Sequence, residues 1–336
     1  LDITMCDGDA IDLVIEIFNF SASNAGDIFV TLSETSSLLA SQSWNNTLTG
    51  SGEFRLTMFN ATDVDITNDF TINSTTSGTV VFDLDNTATL DMGEDCMIVN
   101  SGGSGTHFLL DRDAAFTITD TLDVTHGGNG SVLVRLNNDA DGGAADAQFS
   151  IGSYFHVDKN DGDQTEFVLN DESDLNVGGQ FFFETATTDD NADNLSITMS
   201  DNSRFIIGDS LKIEMIESNR NPDLVITLRG TAQLTSTRGA GLQQTNGGGC
   251  LITLSNSSLI SIGEGWTHGN SGAQEFLATL IDASSFTVNG DFNFNTTGSN
   301  SMLWDMDNTS AVSITGDLEV FNNAGGGTLF QLDRDA

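Results

Sequence analysis

The sequence predicts an all-β fold, a parallel β-helix (β-solenoid) of about twelve coils with about 26 residues and three short strands in each coil. Three observations predict this fold. Hydrophobic residues recur along the chain at a spacing of about 26 residues. Around them, apolar and polar residues alternate with period two, which is typical of a strand with one buried face. No stretch sustains the period of an amphipathic helix, which is about 3.6 residues.

Each strand of a coil contributes one column of apolar residues, and alternation along the strand points that column inward. The first column is Leu32, Met58, Leu84, Leu110, Leu169, Met199, Leu228, Leu254, Leu280, Met306 and Leu332. The second is Ile66, Met92, Ile118, Ile151, Val177, Ile207, Ile262, Val288 and Ile314. The third is Trp44, Phe70, Cys96, Leu122, Phe155, Phe181, Leu211, Trp266, Phe292 and Leu318. Stacking of the coils therefore builds one continuous apolar core.

A polar turn follows the first strand of each coil, and a single position in it is mostly Asn or Asp. Both residues tolerate left-handed backbone and form local hydrogen bonds. We interpret this column as a ladder that shapes one corner of the coil, and binding of glycan or metal by it is the weaker alternative. Its members are Glu34, Asn60, Asn86, Asp171, Asp201, Asn256, Asp282 and Asn308.

The regularity of the coils varies along the chain. Residues 1–130 hold about five coils, of which the first fits the columns poorly. Residues 131–223 hold coils enlarged by polar insertions rich in Asp and Asn. Residues 224–249 form the least regular coil, where Ser236 replaces the second-column residue. Residues 250–336 return to strict spacing and end after the first strand of a further coil.

A second, longer period lies above the coil. Residues 53–114 are repeated at 275–336 without a gap, at an offset of 222. In the last 36 residues, 15 positions are identical between the two copies. We therefore expect residues 1–336 to form a single continuous solenoid that is a window of a longer array.

The charge of the chain excludes some partners. It has 49 acidic and 10 basic residues, a formal charge of −39. Such a surface repels the phosphates of nucleic acids and of anionic membranes. We expect neither nucleic-acid binding nor direct membrane insertion. Cations must balance this charge, either as specifically bound calcium or as the salt of an exterior environment, although acidity for solubility alone is equally consistent.

The three cysteines indicate neither a disulfide nor a redox compartment. Cys6, Cys96 and Cys250 fall at different positions of distant coils, beyond the reach of a disulfide. Cys96 belongs to the third apolar column, so we interpret it as a small buried hydrophobic residue.

Three acidic loops are the candidate metal sites. Ca²⁺ takes six to eight oxygen ligands, which clustered carboxylates, Asn side chains and backbone carbonyls supply. None of the loops matches a known calcium motif, so a solvated turn is the alternative for each. The candidate calcium ligands are Asp139, Asp141 and Asp146 in the first loop, Asp158, Asp161 and Asp163 in the second, and Asp189, Asp190 and Asp193 in the third.

No catalytic or cofactor-binding residues stand out, and we expect the chain not to be an enzyme. The four histidines lie in separate coils or columns, without Ser–His–Asp or zinc-ligand spacing. A repeated enzyme would also repeat its catalytic residues. Across the offset of 222, however, His107 becomes Leu329 and His268 becomes Asn46.

Four features of the chain carry a resemblance: the coil of about 26 residues, the 222-residue repeat, the acidic Asn/Gly/Thr-rich composition and the scarcity of lysine. In these features the chain resembles the repeat regions of giant bacterial cell-surface adhesins and filament proteins with β-helix architecture, including those of gliding Bacteroidota. The resemblance covers the whole chain but is architectural. It implies an extracellular, non-catalytic structural rod, either the stalk of a large adhesin or a surface filament. Its partners would be neighbouring copies of the repeat, with surface glycans as a further candidate.

The alternative function is a polysaccharide-active β-helix enzyme or a glycan-binding module. An enzyme requires an acidic cleft on one face, whereas carboxylates spread evenly argue against it. Glycan binding requires exposed aromatic residues in a row. Most aromatic residues fall in inward columns, and Tyr154 and Phe182 are the exceptions.

Overall fold

The computed structural model describes most of the chain. The residues described are 2–5, 12–16, 18–23, 26–75, 77–137, 146–160, 164–185, 194–216, 223–245, 248–271, 275–298, 301–323 and 326–333.

The described strands form three parallel sheets that run side by side, and successive strands of the chain enter sheets 1, 2 and 3 in turn. The 13 strands of sheet 1 are Asp2–Met5, Ile28–Leu32, Phe54–Phe59, Thr79–Asp85, Gly105–Asp111, Ser131–Asn137, Thr165–Leu169, Leu195–Met199, Leu224–Leu228, Cys250–Leu254, Phe276–Leu280, Met302–Asp307 and Thr328–Asp333.

Sheets 2 and 3 each contain 12 described strands. Those of sheet 2 are Asp12–Ile15, Ser37–Ala40, Asp63–Ile66, Thr89–Met92, Ala115–Ile118, Gln148–Ile151, Asp174–Val177, Arg204–Ile207, Gln233–Ser236, Leu259–Ile262, Ser285–Val288 and Ala311–Ile314. Those of sheet 3 are Phe18–Ala22, Trp44–Leu48, Phe70–Ser74, Cys96–Asn100, Leu122–His126, Phe155–Lys159, Phe181–Thr185, Leu211–Ile216, Ala240–Thr245, Gly265–Asn270, Asp291–Thr296 and Leu318–Asn322.

The parallel β-solenoid with three strands per coil is confirmed, and so are its three apolar columns. Ile66, Met92 and Ile118 are partners in successive strands of sheet 2, and all are buried. Leu84 lies between Met58 and Leu110 in sheet 1 with the same burial. A residue-by-residue match of register across neighbouring coils is what turns an alternating sequence into a continuous core.

The corner between sheets 1 and 2, corner 1, is built on left-handed backbone. All eight residues of the predicted Asn/Asp column have φ between 57° and 64°. The same position is occupied by Arg112 and Gly230 in two further coils, with φ of 61° and 68°. Amide side chains connect successive corners, as where Asn86 Nδ2 donates to Asn60 Oδ1 at 3.1 Å. The alternative function of this column, ligand binding, is not needed to account for its residues.

The last coil is the most exposed part of the described core. Leu318, Phe330 and Leu332 belong to the inward columns, yet they are 44%, 45% and 62% exposed. Each stacks on the preceding coil, on Phe292, Trp304 and Met306 respectively. In the described residues no coil covers their other side.

Candidate functional site

The outer face of sheet 3 carries a column of large side chains that we call the aromatic row, formed by Tyr154, His156, Phe182 and Lys212. Register places His156, Phe182 and Lys212 side by side on three successive coils. They point outward because they alternate with the buried third-column residues. Tyr154 immediately precedes the strand that carries His156.

The rings of neighbouring members of the aromatic row stack on one another. The ring centroids of Tyr154 and His156 are 5.7 Å apart, and those of His156 and Phe182 are 5.1 Å apart with planes inclined by 13°. Lys212 Nζ lies 4.2 Å from the centroid of Phe182. Because His156 and Lys212 belong to the coils on either side of Phe182, both faces of that ring are covered.

Two carboxylates hold His156 in its protonated form. Asp123 Oδ1 lies 3.1 Å from Nδ1, and Glu184 Oε1 lies 3.0 Å from Nε2. Both ring nitrogens must donate to satisfy these two acceptors, which requires the imidazolium. Burial lowers the pKa of His156, but the hydrogen bonds and negative charges of Asp123 and Glu184 outweigh it and raise the pKa. Burial, Glu184 and Asp123 likewise raise the pKa of Tyr154 to about 12.

The contacts of His156 with Asp123 and Glu184 suit a structural link between coils better than a catalytic role. Asp123, His156 and Glu184 lie on three successive coils, so the imidazolium bridges them. An imidazole with both nitrogens engaged is not free to act as a general base. A sugar ring binds to an open aromatic face, whereas both faces of Phe182 are covered. Tyr154 and Phe182, which the sequence places outside the inward columns, thus both belong to this row.

Seven of the nine candidate calcium ligands lie outside the described residues: Asp139, Asp141, Asp161, Asp163, Asp189, Asp190 and Asp193. Asp146 lies at corner 1, where burial together with Glu172 and Asp174 raises its pKa. Asp158 lies on the outer face of sheet 3. The structure thus does not bring these two carboxylates together. In the described residues, no group of three or more His, Cys, Asp or Glu side chains is placed to hold a metal ion.

Corner 1 also contains a recess of about 510 Å³, whose lining includes Asp85, Asp111, Asn137 and Asn170. Its side chains form hydrogen bonds between successive coils: Asn170 Nδ2 donates to Asn137 Oδ1 at 2.8 Å, and Ser200 Oγ donates to Asn170 Oδ1 at 3.0 Å. Asp85 and Asp111 are register partners at the ends of neighbouring sheet 1 strands, so these acidic groups repeat with the coils. Nothing in the recess forms a nucleophile–base pair.

The sequence patterns did not predict a polar column inside the core, at the end of the sheet 3 strands. This column includes Lys159, which is fully buried and whose Nζ donates to the carbonyl oxygen of Gly128 at 3.0 Å. Burial and the charge of Lys159 lower the pKa of the neighbouring His126 to about 3, so that imidazole is neutral. Continued alternation along each strand was the signal that could have found this column: Ser74, Asn100, His126, Lys159, Thr185, Gln244, Asn270 and Thr296.

Cys96 and Cys250 are free and buried, and burial raises the pKa of both thiols. Cys96 occupies the core position predicted for it, whereas Cys6 lies outside the described residues. No helix in the described part of the chain is long and apolar enough to span a membrane.

No protein-family model matches this chain, and neither curated proteins nor solved structures show a significant match to it.

Proposed function

We propose that this chain is a structural rod on the outside of a cell, the stalk of a large surface adhesin or part of a surface filament, and that it is not an enzyme. The observation that carries the proposal is the continuity of the three sheets, which run through every described coil from Asp2 to Asp333. At roughly 4.8 Å per coil, twelve coils extend about 55–60 Å. A rod of this length holds its two ends at a constant distance from each other.

The mechanism of such a rod is mechanical. Every described coil is joined to the next by backbone hydrogen bonds in all three sheets and by stacked apolar columns. Inter-coil ion pairs add to them, as where Arg204 donates from Nε and Nη2 to both oxygens of Asp174, at 2.7 and 2.6 Å. A load along the axis is therefore shared among many parallel bonds in each coil.

The internal repeat of 222 residues supports neighbouring repeats as partners. By the 222-residue offset, Leu318, Phe330 and Leu332 correspond to Cys96, Phe108 and Leu110. Those three are covered by the next coil, through Leu122, Val134 and Leu136. We infer that neighbouring copies of the repeat pack coil on coil through the same columns.

The exterior location is supported by the formal charge of −39, which favours a salt-rich or calcium-rich medium and disfavours binding to nucleic acids and anionic lipids. The glycan-binding and enzymatic alternatives have weaker support. Both faces of the Phe182 ring are covered, and the carboxylates of the described coils are spread over all three sheets.

The first test is the native protein in its source. Antibodies raised against this chain would be used to measure the mass of the native polypeptide and to label intact cells. We expect a mass far above the 35.6 kDa of this chain, together with surface labelling that protease treatment of intact cells removes. Labelling only after the cells are permeabilised would refute the exterior rod. A protein of 35.6 kDa at the surface would refute the stalk and leave only a filament of stacked copies.

A further inference from the structure

A buried carboxylate without a partner lies at corner 3, the corner between sheets 3 and 1. Asp223 is 1% exposed and directly precedes the strand Leu224–Leu228. Within the described part of the chain, neither of its carboxylate oxygens has a hydrogen-bond partner. Burial raises the pKa of Asp223 to about 7, and no cationic side chain among the described residues offsets it. An ionised carboxylate in such a place is costly unless something compensates its charge.

The next coil is shaped to admit this side chain. The carboxylate lies against Gly248, and a Cβ atom at that position would overlap it. The glycine backbone is held from inside the core, because Asn270 Nδ2 donates to Gly248 O at 2.8 Å and Gln244 Nε2 donates to Gly249 O at 3.2 Å. These amide donors are thus directed to the carbonyl oxygens of the glycines, and none bonds the Asp223 carboxylate.

The preceding coil adds a third oxygen. Asn194 occupies the position equivalent to Asp223, since Leu195 and Leu224 are partners in sheet 1 and Leu195 N donates to Asp223 O at 2.8 Å. The side-chain oxygen Asn194 Oδ1 is also buried and has no hydrogen-bond partner among the residues that the structure describes. Two neighbouring coils therefore place three acceptor oxygens without donors at one corner.

Acceptors without donors are suited to a cation. Hard cations such as Ca²⁺ bind carboxylate and amide oxygens and complete their coordination with backbone carbonyls and water. A proton would neutralise Asp223 but could satisfy one acceptor only. We propose that corner 3 binds a hard divalent cation of the Ca²⁺ type, with Asp223 and Asn194 as ligands that join two neighbouring coils.

The test compares Asp223→Asn with a matched control, Asp27→Asn. Asp27 precedes a strand of sheet 1 at the equivalent position, but its Oδ1 accepts a hydrogen bond from Glu53 N at 2.9 Å. Both variants remove one negative charge. The readouts are the melting temperature and titration calorimetry of metal-stripped protein at about pH 8, with CaCl₂ as the probe and MgCl₂ in parallel. Asn194→Leu is the third variant.

We expect CaCl₂ to raise the melting temperature of the wild type and of Asp27→Asn equally, and to raise that of Asp223→Asn and Asn194→Leu by less than half as much. Calorimetry should show one saturable site fewer in Asp223→Asn. Equal shifts in all four proteins would overturn the proposal. The proposal would also be overturned if the wild type melted at a lower temperature than Asp223→Asn, by a difference that grows from about pH 5 to pH 8 and that CaCl₂ does not reduce. The occupant of corner 3 would then be a proton.

Discussion

At the residue scale, two histidines respond to burial in opposite ways. His268 lies inside the core between Phe276 and Phe294, with ring centroids 5.3 and 5.0 Å away, and neither of its nitrogens has a partner. His156 lies on the outer face between two carboxylates. Burial alone lowers the pKa of His268 to about 3, whereas the neighbouring carboxylates raise the pKa of His156. Their contributions to stability therefore have opposite pH dependence.

Replacing His268 should reduce the sensitivity of the rod to acid. The unfolded chain binds a proton at this residue below about pH 6.5 but the folded chain does so only near pH 3, so stability falls as pH decreases through that window. His268→Phe keeps the ring stacking and removes the titration. We expect the loss of unfolding free energy between pH 7.5 and pH 5 to be smaller than in the wild type by about 2 kcal/mol. Urea unfolding at the two pH values measures this difference, and equal losses would contradict it.

Replacing His156 should have the opposite effect. A raised pKa means that the stabilisation is fully present below the unfolded value of 6.5 and is lost as pH rises through the folded value. We expect His156→Gln to be less stable than the wild type by roughly 1 kcal/mol at about pH 5.5. The difference should shrink at about pH 8.5. Because the other histidines are common to both proteins, the difference between the two unfolding curves isolates this residue. A difference that does not vary with pH would show that the bridge needs no proton.

At the scale of the element, the corners determine where each strand ends. Corner 1 needs left-handed backbone in every coil where it is described, and nine non-glycine residues adopt it. This conformation costs about 1–2 kcal/mol for most residues, and least for Gly, Asn and Asp. The preference for Asn and Asp in this column follows from that cost. Gly230 adopts the same left-handed backbone, and glycine does so without steric cost because it has no Cβ.

A β-branched residue at this corner should therefore destabilise the rod. We expect Asn256→Val to lower the unfolding free energy by about 1–2 kcal/mol, and Asn256→Gly to change it by less than about 0.5 kcal/mol. Ser261→Val, on the outward face of the neighbouring strand, is the control and should be neutral or slightly stabilising, since valine favours strands. Urea unfolding gives all three values. Equal losses for Val at positions 256 and 261 would show that φ is not the cause.

At the scale of the whole molecule, each coil contacts mainly its two neighbours, so the coils are exchangeable units. The strands around residues 224–228, 250–254 and 276–280 are in register, residue for residue. Removal of one full period would bring the first of these strands against the third with every column preserved. Stability then changes by the loss of one coil and one interface.

Deletion of residues 250–275, one period of 26, should leave a folded rod that is shorter by roughly 4.8 Å. Deletion of residues 250–262 removes half a period and should prevent folding of the C-terminal coils, because a sheet 3 strand would then follow a sheet 3 strand. Circular dichroism and small-angle scattering distinguish the two results. A rod that tolerates both deletions equally would contradict the nearest-neighbour description of its stability.

The sequence by itself determined the fold, because periodicity specifies both secondary structure and register in a solenoid. A period of 26 and an alternation of two suffice to place Trp44, Phe70 and Cys96 in one stack. The Asn/Asp column indicated the left-handed corner from side-chain chemistry alone. Extra residues in the insertions also left the columns on either side intact, so that coils of unequal length still stack.

Only the tertiary structure decided which polar groups find partners. Asp123, His156 and Glu184 are up to 61 residues apart in the sequence, and nothing in their spacing singles them out from other acidic residues. The orphan oxygens of Asp223 and Asn194 likewise depend on the space that Gly248 leaves in the neighbouring coil. A column needs only hydrophobic character of about the right size. A hydrogen bond needs a donor and an acceptor within about 3 Å, and that distance exists only when the coils are stacked.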